Sequence, residues 1–134
     1  MGRILALDYG TARIGVAISD ALRITAQPLA VIPVGEFEDH IGELIDDRDI
    51  DLIVVGLPTS LDGSEGPSAI GARELAARVA ALTGIAVEMV DERFTTNSAE
   101  RALIEGNVRR RRRKEVVDKV AAALILRGYL ETLR

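Results

Sequence analysis

The chain has 134 residues, 48% of them hydrophobic and only 3% aromatic, with a net charge of −4. That length gives one ordinary domain, expected over 1–134, with a core of Leu, Ile, Val and Ala. With no cysteine, disulfides and thiolate metal sites are excluded and a cytoplasmic setting is expected, while no apolar run is long enough for a membrane span or a signal peptide.

The first apolar run, Ile4-Leu5-Ala6-Leu7, reads as a strand that stops at Asp8-Tyr9-Gly10-Thr11. A carboxylate at the end of a buried strand costs several kcal/mol to desolvate unless something compensates it. Asp8 is therefore either a turn-capping acid or a holder of a divalent metal. Gly10 permits a tight turn into a second strand over 14–18. Asp20 ends that strand and is either a surface acid or an outer-shell acid of the same site. A third strand over 29–34 contains Pro33, which cannot donate to a ladder and marks a sheet edge.

Phe37, Ile41, Leu44 and Ile45 recur at helical spacing, and the helix fades at Asp46. Leu52-Ile53-Val54-Val55 does not alternate, so it predicts a strand buried on both faces of a parallel sheet. It ends at Gly56-Leu57-Pro58. Residues 59–67 form a loop. A helix follows over 68–83, with Leu75, Val79 and Leu82 on one face and Gly84 as its stop. Residues 86–90 form the fifth strand, ending at Asp91-Glu92-Arg93. Asn97 and Glu100 resemble a capping box for a helix ending near Gly106. A long helix over 115–133 closes the chain.

Three strands joined by short connections form an antiparallel meander, and strands alternating with helices require parallel crossovers. The expected fold is α/β: a mixed five-stranded sheet with helices on both faces, in the order of the ribonuclease H-like fold.

Site chemistry is expected at the strand ends. Asp8 ends the first strand, and Asp91 and Glu92 end the fifth. Strand alternation lets only one of that pair face Asp8, without saying which. Asp118 lies in a helix apolar almost all round, so it faces a site, pairs with a cation, or serves as an N-terminal helix acid. Three carboxylates so placed suit two Mg²⁺ or Mn²⁺ ions about 3.5–4 Å apart, with an open face for a substrate phosphate.

Charge is unevenly spread. Arg109, Arg110, Arg111, Arg112, Arg113 and Lys114 are six consecutive cations. Without them, 11 Lys and Arg face 21 acids, a balance of −10. The run is either a solvated tail or a segment that tracks a phosphate backbone. Few aromatics are available for base stacking. His40 reads as a surface residue of the first helix.

The residues 8–20, DYGTARIGVAISD, resemble the N-terminal signature of the YqgF/RuvX family. Gly56-Leu57-Pro58, Asp91-Glu92-Arg93-Phe94-Thr95-Thr96 and Val117-Asp118-Lys119-Val120-Ala121-Ala122, with Ile125-Leu126 and Tyr129-Leu130, resemble its later motifs in order. Phe94 stands where Leu is expected. The resemblance implies a ribonuclease H-like fold related to Holliday-junction resolvases. It also implies a nuclease for maturation of the 5′ end of pre-16S ribosomal RNA. By position, the catalytic and metal-holding acids would be Asp8, Glu92 and Asp118. Substrate contacts would come from Thr11, Arg13, Arg93, Thr95 and the run 109–114; for Arg93 an ion pair with Asp8 or Asp91 competes. One departure from the resolvases is that the fourth strand ends without a carboxylate. The expected partner is pre-ribosomal RNA, free or in a pre-ribosomal particle, and the expected state is a monomer or homodimer. Branched DNA is the rival substrate. Two other classes are a non-catalytic RNA-binding assembly factor and a nucleotide-binding module. Asp8-x-Gly10-Thr11 also resembles the phosphate loop of actin-like ATPases, but those close two such domains over ATP.

Overall fold

The computed structural model describes residues 2–46, 48–58, 66–92 and 113–133, with 113–119 as backbone alone. The strands are β1 (Arg3–Tyr9), β2 (Arg13–Ser19), β3 (Ala26–Pro33), β4 (Ile50–Leu57) and β5 (Ala86–Asp91). The helices are α1 (Phe37–Ile45), α2 (Pro67–Thr83) and α3 (Arg113–Thr132). The expected helix at 97–106 and most of the expected loop at 59–67 lie outside the described residues.

The sheet order is β3-β2-β1-β4-β5. β1, β2 and β3 pair antiparallel, and β4 pairs in parallel with β1 and β5. β4 is an interior strand, flanked by β1 and β5 and covered on both faces, which accounts for its unbroken apolar run. β3 is the edge, as Pro33 required. β3 nevertheless starts earlier than the sequence suggests, passing through Pro28. That proline sits opposite Ala17, where the β2–β3 register shifts, and a proline at an edge bulge costs no ladder bond.

Strand alternation divides the core into two layers. Leu5, Leu7, Val16, Ile53 and Val55 face α1 and α2, with Phe37, Ile41, Leu75 and Val79. Ile4, Ala6, Ala17 and Val54 face α3, with Ala122, Leu126 and Leu130. Each Leu or Ile fully buried here contributes about 1.5–3 kcal/mol. The paired alanines at 121 and 122 are buried and let α3 lie close to the sheet. Leu82 departs from the expected stripe. The buried stripe of α2 ends at Val79, and Leu82 in its last turn is 56% exposed. Gly84 stops α2 in the left-handed conformation (φ 69°), with its N–H donating to the Ala80 carbonyl.

Candidate active site

The face carrying α3 is set by residue parity along the strands. Ile4 and Ala6 of β1 pack toward α3, so Asp8 continues that face. Val54 of β4 does the same, followed by Gly56. On β5, Val90 packs into the α3 layer, while Val87 and Met89 pack into the other. Glu92 therefore shares a face with Asp8, and Asp91, level with Leu57, takes the opposite one. The choice that alternation alone left open is made by the placement of α3.

Register brings these positions together. Leu7 is level with Val55, and Gly56 with Val90. Asp8, Gly56 and Val90 thus form one row near the carboxyl ends of three strands, with Glu92 one step beyond. The Glu92 carboxylate leans back over that row. A Cβ on Gly56 would lie 3.2 Å from Glu92 Cδ and 3.3 Å from its Oε2. Asp8 and Glu92 are both half-buried.

α3 runs over this row from the other side. Its Tyr129 hydroxyl donates to the Glu88 carboxylate in mid-β5. Ile125 Cδ1 would be 2.6 Å from a Gly56 Cβ, near the end of β4. Moving back along α3 therefore moves toward the carboxyl ends of the strands. Position 118 lies on the same helix stripe as Ala122 and Ile125. It is about 10 Å along the axis beyond Ile125.

The turn between β1 and β2 lies at this same end. A Cβ on Gly10 would come within 2.6 Å of the Arg13 carbonyl oxygen, so the turn closes only with glycine there. Thr11 is exposed on the turn. Arg13 shares the parity of Gly15, opposite Asp8, and of Ala17 in the α3 layer. It belongs to the face of the two acids. Arg113 and Lys114 open α3. Arg93, Thr95 and 109–112 lie outside the described residues.

Antiparallel geometry decides between the two readings of Asp20. β2 ends where β1 begins, so Asp20 sits at the opposite end of the sheet from Asp8. Its Oδ1 accepts from the Ile24 and Thr25 backbone N–H groups at 2.7 and 3.0 Å. Those bonds, that from Thr25 first, hold its carboxyl below the usual range. It is a turn cap and no outer-shell acid. His40 is half-exposed on α1 and sits 3.6 Å from a Glu43 carboxylate oxygen. A groove of about 310 Å³ between β3 and α1 is lined by His40 and Glu43 but not by Asp8, Asp20, Asp91 or Glu92.

Comparison with known proteins identifies the lineage. A family model described as RuvX, Holliday junction resolvase, matches residues 2–132. The chain belongs to the RuvX family. A Paracoccus denitrificans relative is 46% identical over 136 residues, covering 99% of this chain and 86% of its own. A Bacillus thuringiensis relative is 44% identical over 135 residues, covering 97% and 98%. Both carry the name "Putative pre-16S rRNA nuclease". Among solved structures, Thermus thermophilus RuvC with a Holliday junction substrate superposes at a TM-score of 0.60 and 13% identity, over 98% of this chain and 96% of that one. The fowlpox virus resolvase with Holliday junction DNA gives 0.55 at 11% identity, covering 98% of each chain. These neighbours establish the ribonuclease H-like fold.

In this RuvX-family chain β4 brings no carboxylate to the end of the sheet. The space above Gly56 is taken instead by Glu92 from β5. The donors on this face are hard carboxylate oxygens, and the chain has no thiolate at all. That set fits Mg²⁺ or Mn²⁺. Among the described residues no three His, Asp or Glu side chains gather in one place. The sequence marked Gly56 only as a strand stop. Its other signal, a glycine where something approaches the backbone closely, went unused.

Proposed function

We propose that this chain is a divalent-metal-dependent nuclease that hydrolyses a phosphodiester bond in the maturation of the 5′ end of pre-16S ribosomal RNA. Family membership and the names of its relatives support the activity and the substrate. The observation that carries the site is the convergence of Asp8 and Glu92 on one sheet face above Gly56, under the helix stripe that holds 118.

Asp8, Glu92 and Asp118 would hold Mg²⁺ or Mn²⁺. Two such ions, when bound, supply activation of the attacking water and neutralise charge at the leaving oxygen. The carboxylates stay ionised and fix position, so no strongly shifted pKa is required. Arg13 and Thr11 contact the scissile phosphate from the β1–β2 turn, and Arg93 and Thr95, which follow Glu92 in the chain, are further substrate-binding residues. Arg109 to Lys114 track the nucleic-acid backbone, in contacts that are salt-dependent and carry little sequence preference. One P–O bond breaks, the oxygen of water replaces it on phosphorus, and the leaving oxygen takes up a proton. The setting for such a substrate is the cytoplasm, and the protein acts there as a monomer or homodimer.

A second reading, cleavage of branched DNA, is favoured by the resolvase description of the family. The test is cleavage of end-labelled pre-16S leader RNA and of a four-way DNA junction, with Mg²⁺ or Mn²⁺, by wild type and Asp8→Asn. Wild-type cleavage of the RNA alone, lost in Asp8→Asn by at least about a hundredfold, supports the proposal. Junction cleavage without RNA cleavage selects the second reading. Wild-type activity in Asp8→Asn defeats the site, and binding without cleavage by either protein leaves an assembly factor.

A further inference from the structure

Gly56 is a glycine that its backbone does not require. It lies inside β4, paired with Val90, and its φ is not in the left-handed region. Glycine in a strand interior weakens the strand and packs nothing. What Gly56 provides is room. A Cβ there would meet two groups, Ile125 Cδ1 at 2.6 Å and the Glu92 carboxylate at 3.2–3.3 Å.

These two neighbours differ in how far they can yield. Ile125 is completely buried, in a core packed at crystal-like density. Glu92 is half-buried at the open end of the sheet. A methyl group at 56 therefore strains Ile125 and displaces the Glu92 carboxylate.

We infer that Gly56 is a positioning residue for Glu92: its missing side chain is the slot in which the carboxylate leans back into the row of Asp8. This rests on the reading of Glu92 as a metal ligand. Ligand geometry tolerates little error, and groups that orient a ligand typically alter metal affinity about 10–100-fold. Glu92 comes from a neighbouring strand and depends on this slot to reach the site. β4 thus contributes through an absence.

The experiment is Mn²⁺ titration of the full chain by calorimetry, with urea unfolding run in parallel. The proteins are wild type, Gly56→Ala, Glu92→Gln, Gly56→Ala/Glu92→Gln and Gly56→Ala/Ile125→Val. Gly56→Ala is expected to weaken Mn²⁺ binding about tenfold or more. Adding it to Glu92→Gln should cause no further loss, because the group it displaces no longer ligates. Ile125→Val removes Cδ1 and relieves the shorter contact. The Gly56→Ala/Ile125→Val protein should regain stability, and so report affinity even if the single variant fails to fold. Its Mn²⁺ binding should stay weak. Wild-type affinity in either Gly56→Ala protein overturns the inference, as does an equal further loss in the Glu92→Gln background. If Glu92→Gln itself binds Mn²⁺ like wild type, the metal reading of Glu92 fails first, and the inference falls with it.

Discussion

Tyr129 sits on α3 beside Glu88 of β5, at mid-sheet and away from the proposed chemistry. Burial is the main cause of its raised pKa, followed by the hydrogen bond to the Glu88 carboxylate and the charge of that carboxylate. Arg23 opposes the shift, and the phenol is pushed up to about 12 from an ordinary 10.0. The sign follows from linkage. A folded-state pKa above the unfolded one gives stability that is fully present below pH about 10 and lost as pH rises through about 12. The chain has two tyrosines, so Tyr9→Phe leaves one chromophore. Absorbance titration of that variant should show a midpoint near 12, and adding Glu88→Gln should move it down toward 10. A midpoint near 10 with Glu88 intact would show that the pairing does not persist in solution.

Tyr9 belongs to a contact between elements. It follows Asp8 on the other face of β1, and its ring lies against α2 at Gly71. A Cβ there would come within 2.4–2.5 Å of two ring carbons and 2.7 Å of the hydroxyl oxygen. The end of β1 is thus anchored on both faces, by Tyr9 on α2 and by the α3 layer next to Asp8. Gly71→Ala should destabilise the fold by about 1–3 kcal/mol through overpacking, read as a lower urea midpoint. Tyr9→Leu in the same chain should recover part of that loss. The sequence could not show this contact, since Tyr9 and Gly71 are distant in the chain. It did show the elements themselves. The β4 run without alternation and the period of α1 each report a local environment, and both were legible. Where faces must be matched between elements, local pattern was insufficient. Alternation did not separate Asp91 from Glu92; the family resemblance favoured Glu92, and the placement of α3 is what puts it on the face of Asp8. Leu82 failed for a related reason: its periodicity was right, but α2's buried stripe ends at Val79.

At the scale of the molecule, charge selects where nucleic acid approaches. An acidic body with a balance of −10 repels a phosphate backbone, and six consecutive cations at 109–114 offset that repulsion in one segment. α3 starts at Arg113, and its N-terminal half points to the end of the sheet that carries Asp8 and Glu92. The basic run therefore joins the described structure at the end bearing the acids. Under the proposed function, a backbone drawn to it would be brought to the carboxylates, whose charge would otherwise exclude it. Replacing Arg109 to Lys114 with Ser should weaken binding to single-stranded leader RNA. It should also flatten the plot of log affinity against log salt by up to about 4, since each neutralised phosphate of a single strand contributes about 0.7. The measurement is binding across a salt series for both proteins. An unchanged slope would mean that the six cations remain solvated and that the acids recruit RNA through Arg13 and the β1–β2 turn alone.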